Sequence, residues 1–288
     1  MRPTKSTYVL TFLAMIAFAG NSLLCRWALK TTVIDALSFT TIRMLSGALT
    51  LWTILRIRNS INYEYTSVTG NWPAAFSLFV YATAFSYAYV SLPTGTGALL
   101  LFAAVQVTMI GYGFWQGERL QIKQLIGLII ALAGISWLLV PNVSAPQLTD
   151  SLLMLSAGIA WAIYSLLGKK ATDPVSVSAG NFMLASIFSL SLSLKLISSV
   201  KIGYLGILLG ITSGAVTSGI GYVVWYSALQ RLNITSAAVV QLSVPIIAAI
   251  FGAIFLNDTI TLRLIEASIA TLSGIGLVLL VTAKDVRK

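Results

Sequence analysis

The 288-residue chain has no histidine, one cysteine, Cys25, and only eight acidic residues. A lone cysteine forms no intrachain disulfide, and without histidine or a second thiolate no Cys/His set exists to hold zinc. Enzymes that use a nucleophile need a base beside it, and those that use acid–base chemistry need paired or tuned carboxylates. Cys25 has no base in sequence view and no carboxylate pair falls within an apolar run, so an enzymatic role is set aside and no cofactor is expected. Charge of either sign is scarce: 9% of residues are charged, against about 25% in ordinary soluble domains.

Apolar material fills the chain instead, at 57% of residues and a mean hydropathy of +0.90. It falls into runs of about 20 residues, the length that crosses ~30 Å of hydrocarbon at ~1.5 Å per helical residue. The pattern predicts an all-α integral membrane protein with ten spans, near residues 7–29, 34–56, 72–91, 94–115, 122–140, 150–169, 177–199, 203–228, 235–256 and 263–283. A membrane β-barrel is excluded, because residues 125–140 and 239–256 do not alternate apolar with polar. The first run follows Arg2 and Lys5 as a signal peptide would. It is long and lacks a small-x-small cleavage site before Arg26, so it reads as a retained helix.

The formal net charge of +10 raises nucleic acid as a partner, but no basic cluster is interleaved with exposed aromatics. Basic residues report topology instead. With a cytoplasmic N-terminus, twelve of the 18 Lys and Arg fall in inside segments, including Arg56, Arg58, Arg119, Lys169, Lys170 and Arg231. Four fall outside (Lys30, Lys195, Lys201, Arg263), and Arg26 and Arg43 lie within the first two spans. Both termini are therefore expected in the cytoplasm of a bacterial-type inner membrane, with the cationic loops against anionic lipid headgroups.

The chain also repeats itself. A shift of 140 aligns Gly117-Glu118-Arg119-Leu120 with Asn257-Asp258-Thr259-Ile260 and Leu132-Ala133-Gly134-Ile135 with Leu272-Ser273-Gly274-Ile275. The first helices align separately, Phe18 to Leu24 on Trp161 to Leu167. Two five-helix units are expected, residues 1–145 and 146–288. Five is odd, so the second enters the membrane from the opposite side, as inverted repeats do in alternating-access carriers.

On these residues the chain resembles the drug/metabolite transporter superfamily, specifically its EamA-type ten-helix members. The acidic turn Gln116-Gly117-Glu118-Arg119-Leu120 carries the resemblance, as does Trp225-Tyr226-Ser227-Ala228-Leu229 followed by Ala237-Ala238 and Pro245. Two departures stand out: Asn257-Asp258 replaces the usual Leu-Gly-Glu of the second half, and Val105 stands where the repeat places Pro245. The resemblance implies a central cavity formed by both halves that carries a small organic solute, such as an amino acid or related metabolite. Outward movement is the family's common theme. Import, multidrug efflux or a non-transport membrane role are the alternatives, and monomer and homodimer stay open.

Polar side chains deep in hydrocarbon are costly and tend to face the bundle interior or a wet cavity. The cavity candidates are Asn21, Gln106, Trp161, Tyr164, Asn181, Tyr222, Gln241 and Ser243, with Ser22, Thr108, Ser165, Trp225 and Tyr226 beside them. Interhelical hydrogen bonding is the competing account for each hydroxyl, and an interfacial belt for Trp225 and Tyr226. Pro245 is expected inside the ninth helix, where it frees the Gln241 carbonyl and makes a gate or a static kink. Gly206, Gly210, Gly214 and Ser218 form a smooth packing ridge on the eighth. Arg43 is too deep for easy snorkelling, which leaves pairing with Asp35, preferred, or a receptor for a substrate carboxylate. Glu266 is expected to pair with Arg263, and Glu118 and Asp258 to cap helix starts. With so few acids a buried proton relay has little raw material, which favours a facilitator or potential-driven carrier.

Overall fold

A computed structural model describes residues 5–62, 66–115, 121–140, 145–168, 173–229 and 240–285, and among them every regular element is helical. In order these are α1 (Lys5–Thr31), α2 (Ala36–Asn62), α3 (Trp72–Ala88), α4 (Thr94–Trp115), α5 (Ile122–Leu139), α6 (Leu148–Gly168) and α7 (Pro174–Lys195). One further rod follows, made of α8 (Tyr204–Thr212), a π-helical stretch (Ser213–Ile220) and α9 (Gly221–Leu229); α10 (Ser243–Leu256) and α11 (Leu262–Asp285) complete the bundle. Helices satisfy every backbone group internally, as hydrocarbon demands. Their starts are written locally. Asn71 Oδ1 accepts from Ala74 N at 2.8 Å and Asp173 Oδ1 from Val175 N at 3.2 Å, with Pro73 and Pro174 in first-turn positions where a missing N–H costs nothing.

Among the described residues six rods, α1, α4, α5, α6, α7 and the α8–α9 rod, are long and apolar enough to cross a bilayer. The outward faces of the bundle carry large apolar side chains such as Phe12, Leu49, Ile129, Leu152, Ile211 and Ile269, all exposed, as a lipid-facing surface requires. The chain is an all-helical membrane protein. The expected spans coincide with the helices to within a few residues, except that α2 runs on to Asn62 and helical bonding lapses once in the ninth span. Val240 and Gln241 are helical, Leu242 turns, and α10 begins at Ser243.

Packing draws α3 against α6, α2 against α7, α1 against the α8–α9 rod, and both α6 and α10 against α4, while α5 and α11 pair at the flank. Small residues set these distances. A Cβ on Gly134 meets Thr271 Oγ1 at 2.5 Å, and one on Gly274 meets the Gly127 carbonyl oxygen at 2.5 Å, so the α5–α11 crossing admits only glycine at either point. The ridge on the eighth span packs as its spacing predicts: Gly206 lies on Ile34, Gly210 on Ile42, and Gly214 on the Arg43 carbonyl.

Candidate functional site: the central cavity

At the middle of the bundle, rings from five helices line a cavity. Phe18 of α1 meets Trp161 of α6 edge-on at 5.9 Å between centroids, and Trp161 lies 4.9 Å from both Tyr81 of α3 and Tyr222 of α9. Asn21, Ser22, Phe85, Leu101 and Phe102 complete the wall. The enclosed space admits the centre of a water-sized sphere over about 10 Å³, room for about one water molecule. This conformation is closed on its cavity.

Behind the rings runs a polar network built by the π-helical stretch. Ser213-Gly214 recurs five residues later as Ser218-Gly219, and π winding, which bonds i to i+5, turns residues at that spacing to one side. The glycines let the rod lie on Gly47 of α2. The serines meet α1: Asn21 Oδ1 accepts from Ser213 Oγ at 2.8 Å, with Thr217 Oγ1 at 3.4 Å and Ser218 Oγ at 3.5 Å. Asn21 Nδ2 donates to the Tyr81 hydroxyl at 3.3 Å. Arg43, wholly buried, donates from Nε to Ser218 Oγ at 3.1 Å and from Nη2 to the Tyr81 hydroxyl at 3.2 Å, its guanidinium 5.1 Å from the Phe85 ring centre. Each neutral orphan costs about 1–3 kcal/mol, and an unpaired buried ion several. Three such atoms gather here: Arg43 Nη1, Ser22 Oγ near the Tyr89 hydroxyl, and Tyr222 Oη near that of Tyr81 all lack a hydrogen-bond partner of acceptable geometry.

Among the described residues, contacts between helices tie both ends of the bundle. At one end Lys30 of α1 donates to Asp258 Oδ1 at 2.9 Å and to the Leu256 carbonyl at 2.7 Å, while Asp258 Oδ2 accepts from Thr94 N and Oγ1 at the start of α4. Asn257 is left-handed, φ 52°, and the Asp258 N–H returns to the Gly252 carbonyl, ending α10. Burial pushes the Asp258 carboxyl up, but the Thr94 N–H and Lys30 outweigh it and hold the group below its ordinary range. At the other end residues 66–71 lie across α7: Thr69 N donates to Ser176 Oγ, Ser176 Oγ to the Ser67 carbonyl, and Asn71 N to Asn181 Oδ1 at 3.0 Å. Gly70 and Gly180 touch backbone to backbone, and Arg58 forks onto Asp173.

The model of the EamA-like transporter family matches the chain twice, over residues 5–140 and 149–280. The chain belongs to the EamA-like transporter family. An uncharacterized protein of Pseudomonas aeruginosa is 51% identical over 96% of both chains. The threonine/homoserine exporter of Salmonella typhimurium is 31% identical over 47% of this chain and 48% of its own. A solved crystal structure shares the fold at a TM-score of 0.67 and 18% identity, over 96% of this chain and 98% of that one.

In this EamA-like transporter Asn21, Trp161 and Tyr222 meet at the cavity, as does Ser22, with Arg43 directly behind. Tyr164 and Asn181 instead line a second small space with Ser178 and Tyr226, nearer Asp173. Gln106 and Gln241 are buried but absent from the cavity wall, and Ser243 donates to the Val240 carbonyl. Pro245 follows a one-residue lapse in helical bonding at Leu242, whose backbone stays right-handed helical (φ −66°, ψ −15°), as expected of a proline with no N–H to offer the Gln241 carbonyl; residues 230–239, which hold the start of the expected ninth span, lie outside the described residues.

Other expectations change as well. Asp35 accepts from Lys201 N and from the first turn of α2, so it does not pair with Arg43. Arg263 donates to the Trp137 carbonyl and Glu266 accepts from the Trp137 indole, so these two meet through Trp137 rather than directly. Asp258 does cap a helix start, but that of α4 in the other half; Glu118 lies outside the described residues. Trp225 and Tyr226 are buried, which rules out an interfacial belt for them. Tyr81, joining Asn21 to Arg43, was missed; the available signal was a tyrosine ten residues into an apolar span.

Proposed function

We propose that this transporter exports small organic solutes, amino acids or related metabolites, across a bacterial cytoplasmic membrane by alternating access around the central cavity. The observation that carries this reading is that three of the six unpartnered buried polar side-chain atoms among the described residues gather on or beside the wall of one central cavity, while Arg26 Nε, Thr83 Oγ1 and Arg263 Nη1 are scattered elsewhere. A solute entering it supplies those partners. The name of the threonine/homoserine exporter supports both the solute class and the outward direction.

The inverted-repeat reading, with residues 1–145 and 146–288 as the units, is supported by the packing. Exchanging the halves turns the contact of α3 with α6 into that of the α8–α9 rod with α1, and that of α4 with α6 into that of α10 with α1. Phe18 and Trp161, aligned in sequence, touch at the centre, and the aligned Gly134 and Gly274 share one crossing. Equivalent halves allow two rocked conformations of similar energy. In the orientation favoured by the positive charges, both termini are cytoplasmic, the Asp173 end faces the cytoplasm and the Asp258 end faces outward. Each cycle opens one end while the other stays shut.

The test is metabolite analysis of medium and cytoplasm from cells expressing the protein, against cells expressing Asn21→Ala at equal membrane abundance. One compound class gathering outside, and lost with the variant, is the expected result. Accumulation inside reverses the direction, and identical profiles for both proteins and empty cells contradict transport.

A further inference from the structure

We infer that the cavity selects a small organic carboxylate carrying net negative charge over the zwitterionic amino acid of the same skeleton, and that the membrane potential alone drives its export. This rests on the carrier reading above. The argument is an inventory of donors and acceptors.

Acceptors in the network are already occupied. Asn21 Oδ1 takes the Ser213 hydroxyl with two more hydroxyls around it, Ser218 Oγ takes Arg43 Nε, and the Tyr81 oxygen takes an N–H from both Asn21 and Arg43. With its oxygen doubly engaged, Tyr81 has its own proton left to give. What stays unpartnered is Arg43 Nη1, which can only donate, together with the Tyr222 and Ser22 hydroxyls, which can donate to a carboxylate beside it. Carboxylates accept only, and accept most strongly from guanidinium.

Charge points the same way. Arg43 is fully buried, and each acidic side chain whose contacts are described is engaged elsewhere: Asp35 with Lys201, Asp150 with Ser91, Asp173 with Arg58, Asp258 with Lys30 and Glu266 with Trp137. A carboxylate at Arg43 cancels the one formal charge of the site. An ammonium on the same solute finds no carboxylate to meet it, only ring faces and neutral hydroxyl oxygens, and adds a second positive charge beside Arg43. One net negative charge leaving per cycle runs downhill in an inside-negative cell, and each 100 mV sustains an out-to-in ratio of about 50 without any proton partner. That fits a bundle whose described acids all sit at its ends.

The experiment uses the purified full chain in proteoliposomes under a potassium/valinomycin diffusion potential. Efflux of labelled 3-hydroxybutyrate, L-threonine and threoninol is followed; the three share a four-carbon skeleton and differ in carrying the carboxylate alone, both groups, or the amine alone. Expected are 3-hydroxybutyrate efflux at least tenfold faster than that of L-threonine, acceleration when the inside is made negative, and at least fivefold loss in Tyr222→Phe. That variant removes an unpartnered hydroxyl and leaves the fold intact, whereas Arg43→Lys, tested beside it, keeps the charge. L-threonine or threoninol moving as fast as 3-hydroxybutyrate, or anion efflux indifferent to potential, overturns the inference while the carrier reading stands. No efflux of any of the three, with metabolite profiles unchanged in cells, overturns both.

Discussion

Among the described residues the two ends of the bundle are tied by different means. At the Asp258 end one carboxylate, 8% exposed, ties α1, α4 and the α10–α11 turn together through Lys30 and Thr94. At the Asp173 end closure is spread along six residues of backbone lying on α7, with the Arg58–Asp173 pair, about a third exposed at the arginine, at its margin. A closure resting on one charged group opens when that group is lost; a distributed one yields only when its whole seat is lifted. Under the alternating-access proposal both ends open in turn, and this asymmetry predicts that the Asp258 end is the more easily released.

The sharpest way to break the comparison is Asp258→Ala. It strands the Thr94 N–H and leaves Lys30, a third exposed, with the Leu256 carbonyl alone, and a loss of about 1–3 kcal/mol is expected in unfolding of the detergent-purified protein. Should it cost no more than a surface substitution, the single-carboxylate account fails. Gly180→Ala attacks the other end sterically. Its Cβ falls 2.4 Å from the Thr69 carbonyl oxygen and 2.7 Å from Gly70 N, so residues 66–71 must lift, at about 1–3 kcal/mol, with faster proteolysis of that segment as the readout.

Acidification has the smallest effect and sharpens the contrast. Asp258 and Asp173 are both held below the ordinary carboxylate range, Asp173 chiefly by Arg58 and Asp258 by the Thr94 and Lys30 bonds that overcome its burial. A depressed folded-state pKa contributes stability above the unfolded value, about 3.9, that is lost as pH falls through the folded one. Stability is therefore expected to be level in this respect from pH 5 to 8 and to drop below about 4, with a smaller drop in Asp258→Ala than in the wild type.

Much of this architecture was legible because hydrocarbon imposes length and polarity rules on every span. Asn21, Trp161 and Tyr222 declared themselves as polar or amphipathic groups at mid-span, and they meet at the cavity. Gln106 and Gln241 met the same criterion and are not on its wall, because a buried amide serves an interhelical contact equally well. Arg43 was legible by depth but not by partner: Asp35 is near in sequence, and the helix turns it towards Lys201 instead. The π winding hid in plain view as the five-residue repeat of Ser-Gly, since glycines in an apolar helix read first as a packing ridge. Links across the halves, such as Lys30 to Asp258, depend on tertiary geometry that neither local propensity nor span length encodes.

The central claim is that one cavity is reached from the two ends in alternation. The most direct measurement is the alkylation rate of Ser22→Cys, in a Cys25→Ser background, by a membrane-impermeant thiol reagent applied to right-side-out and to inside-out vesicles, with Asp258 intact or changed to Ala. The account predicts that Asp258→Ala raises the rate from the outer face by tenfold or more and lowers it from the inner face. A rate raised equally from both faces, or unchanged from either, would contradict it.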